Sequence, residues 1–213
     1  MNDRATVPRG RHAPPLEVRL SVQRRRLFEA AAAEFSHSGY AEASAEAISR
    51  AAGMSKATFY EHFANKEECI LALFDEAATE VLRVMAEGTA AGGRDPVQRL
   101  RGGLRAFLDM LARYPNESQT LLVEIIGAGP RAAQRRDEVF ELFADAISAE
   151  NAVAAEAGTL TRLASPDDAY AVVGAVAELA SRQIRLGVPA DVRDLEPVIE
   201  RLMLGVMARS DGQ

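Results

Sequence analysis

From Arg24 almost to its end, the sequence repeats apolar residues at helical spacing and breaks that pattern only at glycine and proline. No run of β-branched residues alternates with polar ones as a half-buried strand would. The chain is therefore restricted to all-α architectures. Breaks fall near Gly39, Gly53, Gly88, Tyr114-Pro115, Gly127–Pro130, Gly158 and Gly187. Helix starts carry capping chemistry. Asp95-Pro96-Val97-Gln98 sets an acceptor before a proline at the first helical position, and Ser165-Pro166-Asp167-Asp168 adds acids in the first turn, where the helix dipole favours them. Asn65 to Glu68 and Asn116 to Gln119 have capping-box spacing. The spacing predicts helices over about 22–37, 44–51, 55–62, 66–87, 95–113, 116–127, 130–157, 165–186 and 194–208.

Charge divides the chain unevenly. The formal net charge is −6, yet the basic residues gather at the start. Residues 1–66 hold ten Lys/Arg against seven Asp/Glu, and residues 67–213 hold fifteen against twenty-four. A basic head on an acidic body is the pattern of a unit that meets a polyanion. Three domains are expected: a mobile arm over 1–20, with Pro8, Pro14 and Pro15 and scattered arginines; a head over 21–66; and a helical body over 67–213.

The head reads as a helix-turn-helix. Leu27, Phe28, Ala31 and Phe35 share one face of its first helix, Gly39 ends that helix, and Tyr40 follows. Ser44 can cap the second helix, which turns its apolar face inward through Ala47, Ile48 and Ala51. Ala51-Ala52-Gly53-Met54-Ser55 is the turn: Gly53 accepts positive φ, Met54 plugs the angle, and Ser55 caps the third helix. Phe59 and Phe63, four apart, point to the core. Lys56, Ala57, Thr58, Tyr60 and His62 form the opposite face, small and then polar, suited to a major groove. Lys56 can donate to guanine or phosphate, Thr58 can meet a thymine methyl, and Tyr60 and His62 can donate to phosphates.

The run from Ile48 to Glu67, with Phe28, Ala31, Phe35, Gly39 and Tyr40 before it, closely resembles the signature of the TetR (tetracycline repressor) family of transcriptional regulators. The resemblance covers about residues 24–70. It implies a recognition face of Lys56, Ala57, Thr58, Tyr60 and His62, with Ser55 at its cap and Ser44 and Lys66 at phosphates. It further implies a homodimer on a palindromic double-stranded DNA operator, released by a small-molecule effector; a cytoplasmic location is expected from the lone Cys69, which fits a reducing compartment. Repression is the expected sense, although promoter position rather than fold decides between repression and activation.

In the body, Phe107, Leu111, Leu122, Ile125, Phe140 and Phe143 recur at helical spacing, and Glu124 is the one charge within Leu121–Ile126. The resemblance implies an effector pocket among these residues. A carboxylate at Glu124 would pair with a cationic ligand or an internal arginine, or else stand exposed. Ala171, Gly174 and Ala177 permit close helix approach, and Val198, Leu202 and Val206 follow at four-residue steps. By resemblance these last two helices pair across a two-fold axis.

Other function classes find no support. His12, His37 and His62 lie apart, with no Cys or carboxylate cluster near them, so neither a metal site nor a catalytic constellation is expected. No phosphate-binding glycine loop or nucleophile motif occurs, and neither an enzyme nor a cofactor is expected. Cys69 is the sole cysteine, which excludes an internal disulfide. No apolar run is long enough to span a bilayer, so no membrane partner is expected.

Overall fold

The computed structural model describes residues 15–208, and nine α-helices are present among them. The arginine-containing arm, in so far as it covers residues 1–14, lies outside the described residues. Its last part does not: α1 (Leu16–Glu42) begins directly after Pro15, so Leu16–Leu20 is helical. Leu16, Val18 and Leu20 are all exposed there, so no buried stripe marks this first turn in the sequence.

Three helices make the head. α1 is interrupted at Gly39, whose φ of 79° and ψ of 155° turn the chain out of the helix. α2 (Ala45–Ala51) and α3 (Lys56–His62) follow, each capped by a serine hydroxyl. Leu27, Phe28, Ala31, Phe35, Ile48, Phe59 and Phe63 close the core between them. Phe63 stacks at a tilt against both Phe28 and Phe59.

α4 (Lys66–Ala91) carries the chain out of the head, starting on the Asn65 cap. The body continues with α5 (Pro96–Arg113), α6 (Pro115–Leu122), α7 (Pro130–Glu156), α8 (Pro166–Leu186) and α9 (Glu196–Val206). Short 3₁₀ turns occupy Glu124–Gly127 and Val192–Leu195. α6 is shorter than its apolar pattern suggests. Pro115 takes the first helical position, so Asn116 falls inside the first turn and cannot cap it. At the other end Val123 leaves helical geometry (φ −120°, ψ −60°). The expected box at Asn65 is half formed: Asn65 accepts from Glu68 N–H, but the Glu68 carboxylate turns to Arg131 instead.

α4 and α5 run antiparallel and meet backbone to backbone at Gly88 and Gly102. A Cβ on either would overlap the other's carbonyl oxygen. Nearer the head, the large side chains Phe74, Leu82 and Phe107 stand between the helices and their neighbours. The pair is thus tight at its far end, and its inner faces line a cavity together with α7 and α8.

Candidate nucleic-acid interface and effector cavity

The turn of the head is held by more than its glycine. Gly53 has φ 66°, and Arg26 Nη2 donates to the Ala52 carbonyl at 2.8 Å, tying α1 to the turn. The Arg24 guanidinium lies over the rings of Phe28 and Phe63, 4.8 and 5.0 Å from their centroids. Arg25 is exposed. Two of the three arginines that begin the head therefore brace it.

α3 divides as its sequence suggests. Phe59 is buried and Tyr60 is 49% exposed, with Lys56 and Ala57 also exposed and Thr58 half-buried. Lys56 Nζ sits 6.0 Å from the Tyr60 ring, so the two lie side by side on one edge. Ser55 Oγ accepts from Thr58 N–H at 3.1 Å and contacts Thr58 Oγ1 at 3.0 Å. Ser44 Oγ accepts from Ala47 N–H at 3.1 Å and is exposed. His62 is half-buried, 3.4 Å from Gln23 Oε1, and burial followed by the Arg24 charge lowers its pKa. A neutral ring at neutral pH presents one donor, not two.

Lys66 is placed differently from the expectation. Its ammonium donates to the carbonyls of Tyr40, Ala41 and Ala43 at 2.8, 2.8 and 3.1 Å, and it lies 4.6 Å from the Tyr40 ring centroid. An ammonium has three donors, and all are taken inside the head. Lys66 caps the carbonyls left open where Gly39 ends the helix, rather than extending outward.

In the body a cavity of about 460 Å³ opens between α4, α5, α7 and α8. Phe107, Leu122, Phe140 and Phe143 line it. Leu111 and Ile125 are buried but do not line it. Glu124 does not line it either, because it faces the head. Its Oε2 accepts from Tyr40 N–H at 2.8 Å, and its Oε1 accepts from Gln119 Nε2 at 2.9 Å. The donor it satisfies is freed by the kink at Gly39, so the carboxylate pairs with a backbone amide, not with a ligand or an arginine.

The cavity's polar residues were missed from sequence. Thr89, Arg99 and Glu150 line it, with Arg99 Nε and Nη2 donating to Glu150 Oε2 and Oε1 at 2.8 and 2.7 Å. One signal was available: Glu150 lies three residues after Ile147, on the same helical face as Phe143.

Of the residues expected at the dimer interface, Val198 and Val206 are exposed, 37% and 42%, as is Ala171, while Gly174 and Leu202 are half-buried. Ala177 is corrected: it is 7% exposed and lines the cavity, because it sits on the inner face of α8.

Residues 27–73 match the profile of bacterial regulatory proteins of the tetR family. The head belongs to that family. Around the tetR-family head the whole architecture has fold neighbours among solved regulators. The fatty acid degradation regulator FadR from Bacillus halodurans superposes with a TM-score of 0.79 at 18% identity, over 86% of this chain and 95% of that one. FadR from Bacillus subtilis, solved in complex with stearoyl-CoA, gives 0.76 at 17% identity, over 86% and 98%. SmeT, the repressor of the Stenotrophomonas maltophilia multidrug efflux pump SmeDEF, gives 0.71 at 19% identity, over 88% and 91%. At such identities the likeness is one of fold. No described helix is long and apolar enough to cross a membrane.

Proposed function

We propose that the chain is a ligand-responsive transcriptional repressor that grips a palindromic operator as a homodimer and lets go when a small molecule fills the body. The observation that carries this reading is the split of α3: Phe59 anchors inward while Lys56, Ala57 and Tyr60 stay open to solvent on a tetR-family head. A short helix fixed from behind and polar in front can enter a major groove.

The position of each side chain on the head supports its assigned contact. Lys56 and Thr58 sit early on α3, where they reach base edges or phosphate, and Ala57 lets the backbone approach. Tyr60 and His62 donate to the flanking backbone. Ser44 and Ser55 already cap α2 and α3, so their hydroxyl protons and the adjacent helix N–H groups face the phosphates. Lys66 contributes by holding the segment 40–43 in place.

The dimer uses α8 and α9. One side of α9 is committed to α5, through Arg101–Glu200 and Arg105–Glu196 ion pairs. Val198 and Leu202 turn away from those glutamates, since residues two apart on a helix differ by roughly 200°, and Val206, a turn beyond Leu202, is exposed. With Ala171 and Gly174 of α8 they form the apolar face that a second copy covers.

The effector occupies the cavity. Its walls are aliphatic and aromatic, which fits an elongated apolar molecule of the kind found in the Bacillus subtilis FadR complex. Filling it pushes on Leu121 and Leu122 of α6, two residues ahead of the carboxylate that holds Tyr40. Effector binding thereby shifts the chain toward states with another head spacing.

The test is operator selection from genomic fragments, followed by gel shifts. Lys56→Ala with Tyr60→Ala abolishes the shift and leaves the dimer intact in sedimentation. A shift from the double variant equal to that of the parent chain removes α3 from the reading.

A further inference from the structure

The cavity is polar at one end only. Along α4 its lining runs from Phe74 through Leu82 and Met85 to Thr89, fifteen residues, or about 22 Å at 1.5 Å per residue. α5 runs antiparallel, so Phe107 lies toward the head and Arg99 at the far end. On α7 the same progression leads from Phe140 through Phe143 and Ile147 to Glu150. Thr89, Arg99 and Glu150 therefore meet at the end away from the head, and the side chains lining the rest are apolar. Arg99 and Glu150 are 26% and 25% exposed, so this end opens to solvent.

The ion pair across that opening is unequal in its spare capacity. A guanidinium has five N–H donors. Glu150 takes one from Nε and one from Nη2, and Nη1 approaches the Gly93 carbonyl only at 3.5 Å. Both Glu150 oxygens are already engaged by the guanidinium. A ligand oxygen can thus be received by Arg99 with the pair intact. A ligand ammonium would have to displace the guanidinium from Glu150.

We propose that Arg99 reads the effector's polar end: the ligand is a long-chain acyl compound bound tail-first, its hydrocarbon running toward Phe74 and Leu122 and its carbonyl or carboxylate oxygen accepting from the free Arg99 donors. At about 1.3 Å of rise per carbon, an extended chain of about sixteen carbons covers most of the ~22 Å between Phe74 and Thr89 along α4. Thr89, beside Gly103, supplies a hydroxyl at the same end. Glu150 is a positioning residue that holds the guanidinium across the mouth from α7. The inference rests on the cavity being the effector site, and it adds the chemical class and orientation.

The probes are hexadecanoic acid, hexadecanoyl-CoA and hexadecylamine, titrated calorimetrically into the full chain, with operator release followed separately by anisotropy. Acid or thioester binds and the amine does not, and which of the two binds identifies a free acid or a carried acyl group as the source. Arg99→Gln weakens the acyl probe about tenfold or more, the worth of a charge-assisted hydrogen bond. Glu150→Gln retains acyl binding, and its thermal midpoint, with that of Arg99→Gln, shows that both fold. Leu122→Phe fills the blind end of the slot and shifts preference to a shorter acid. Unchanged affinity in a folded Arg99→Gln chain, or amine binding above acid binding, overturns the proposal. So does failure of all three probes to bind. Arg99-dependent acyl binding without operator release keeps this inference and sinks the effector reading. Release by an acyl probe that ignores Arg99 does the reverse.

Discussion

At the scale of single residues, two side chains that looked like contact points turn out to hold the junction of head and body. Gly39 breaks α1, which strands an amide at Tyr40 and carbonyls at Tyr40, Ala41 and Ala43. Glu124 takes the amide from the body side, and Lys66 takes the carbonyls from the start of α4. Glu124→Ala leaves a half-buried N–H without its acceptor and is expected to cost about 1–3 kcal/mol. Chemical denaturation measures it, and a variant within a few tenths of the parent contradicts the role. Cys69 gives a second prediction. It is fully buried, and burial pushes its thiol up to about 12. The thiolate is the reactive form, so the folded chain resists alkylation near pH 8 and is labelled only on unfolding. Rapid labelling of native protein, read by mass, would show the site to be open. Neither Glu124 nor Lys66 could be assigned from sequence. A carboxylate within an apolar run signals only that something offsets its burial, and the partner lies 84 residues away. Phe59 and Tyr60 were legible because adjacent helical residues must face different ways.

At the scale of elements, the legible parts were those whose local chemistry decides the outcome alone. Ser44, Ser55, Asp95 and Ser165 all cap where expected, since a short side chain and the amides beyond it need no tertiary partner. The ends of α6 were not legible. Its apolar residues continue past Val123, but the chain there tightens to a 3₁₀ turn as Glu124 reaches the head. The α4–α5 crossing depends on glycines whose role shows only once the helices are placed. Gly102→Ala drives a methyl into the Gly88 carbonyl. The helices must part, at an expected cost of about 1–3 kcal/mol, as in other overpacked cores. The same opening alters the cavity beside Gly103, so effector affinity changes with stability. Calorimetric melting and ligand titration on one sample check both, and an unchanged midpoint would mean that the crossing tolerates a side chain.

For the whole molecule, the question is how an acidic chain holds a polyanion. With net charge −6, binding depends on local cations, not on the overall field. One head offers a helix of seven residues, too little edge for a long site, which is why the proposed reading sets two heads on one duplex. Leu202→Glu places a charge on the α9 face that a second copy would cover, while the buried Ile199 and Met203 keep their own contacts. The expected product is a folded monomer with parental helicity that no longer shifts the full operator. A dimer that persists in sedimentation would move the interface elsewhere. If the proposed dimer holds, log affinity for operator falls linearly with log salt, by roughly 0.9 for each phosphate neutralised. Lys56→Ala lowers that slope by about two per dimer, one phosphate per head, if Lys56 meets phosphate, and leaves it unchanged if Lys56 reads guanine. Effector and operator then act on one equilibrium. If the effector weakens operator binding through a coupling of ~1–3 kcal/mol, saturating operator must weaken effector binding by the same factor. Titrating the effector into free and operator-bound dimer measures both sides of that identity. Equal effector affinities in the two titrations would mean that the cavity and the recognition helices are not coupled.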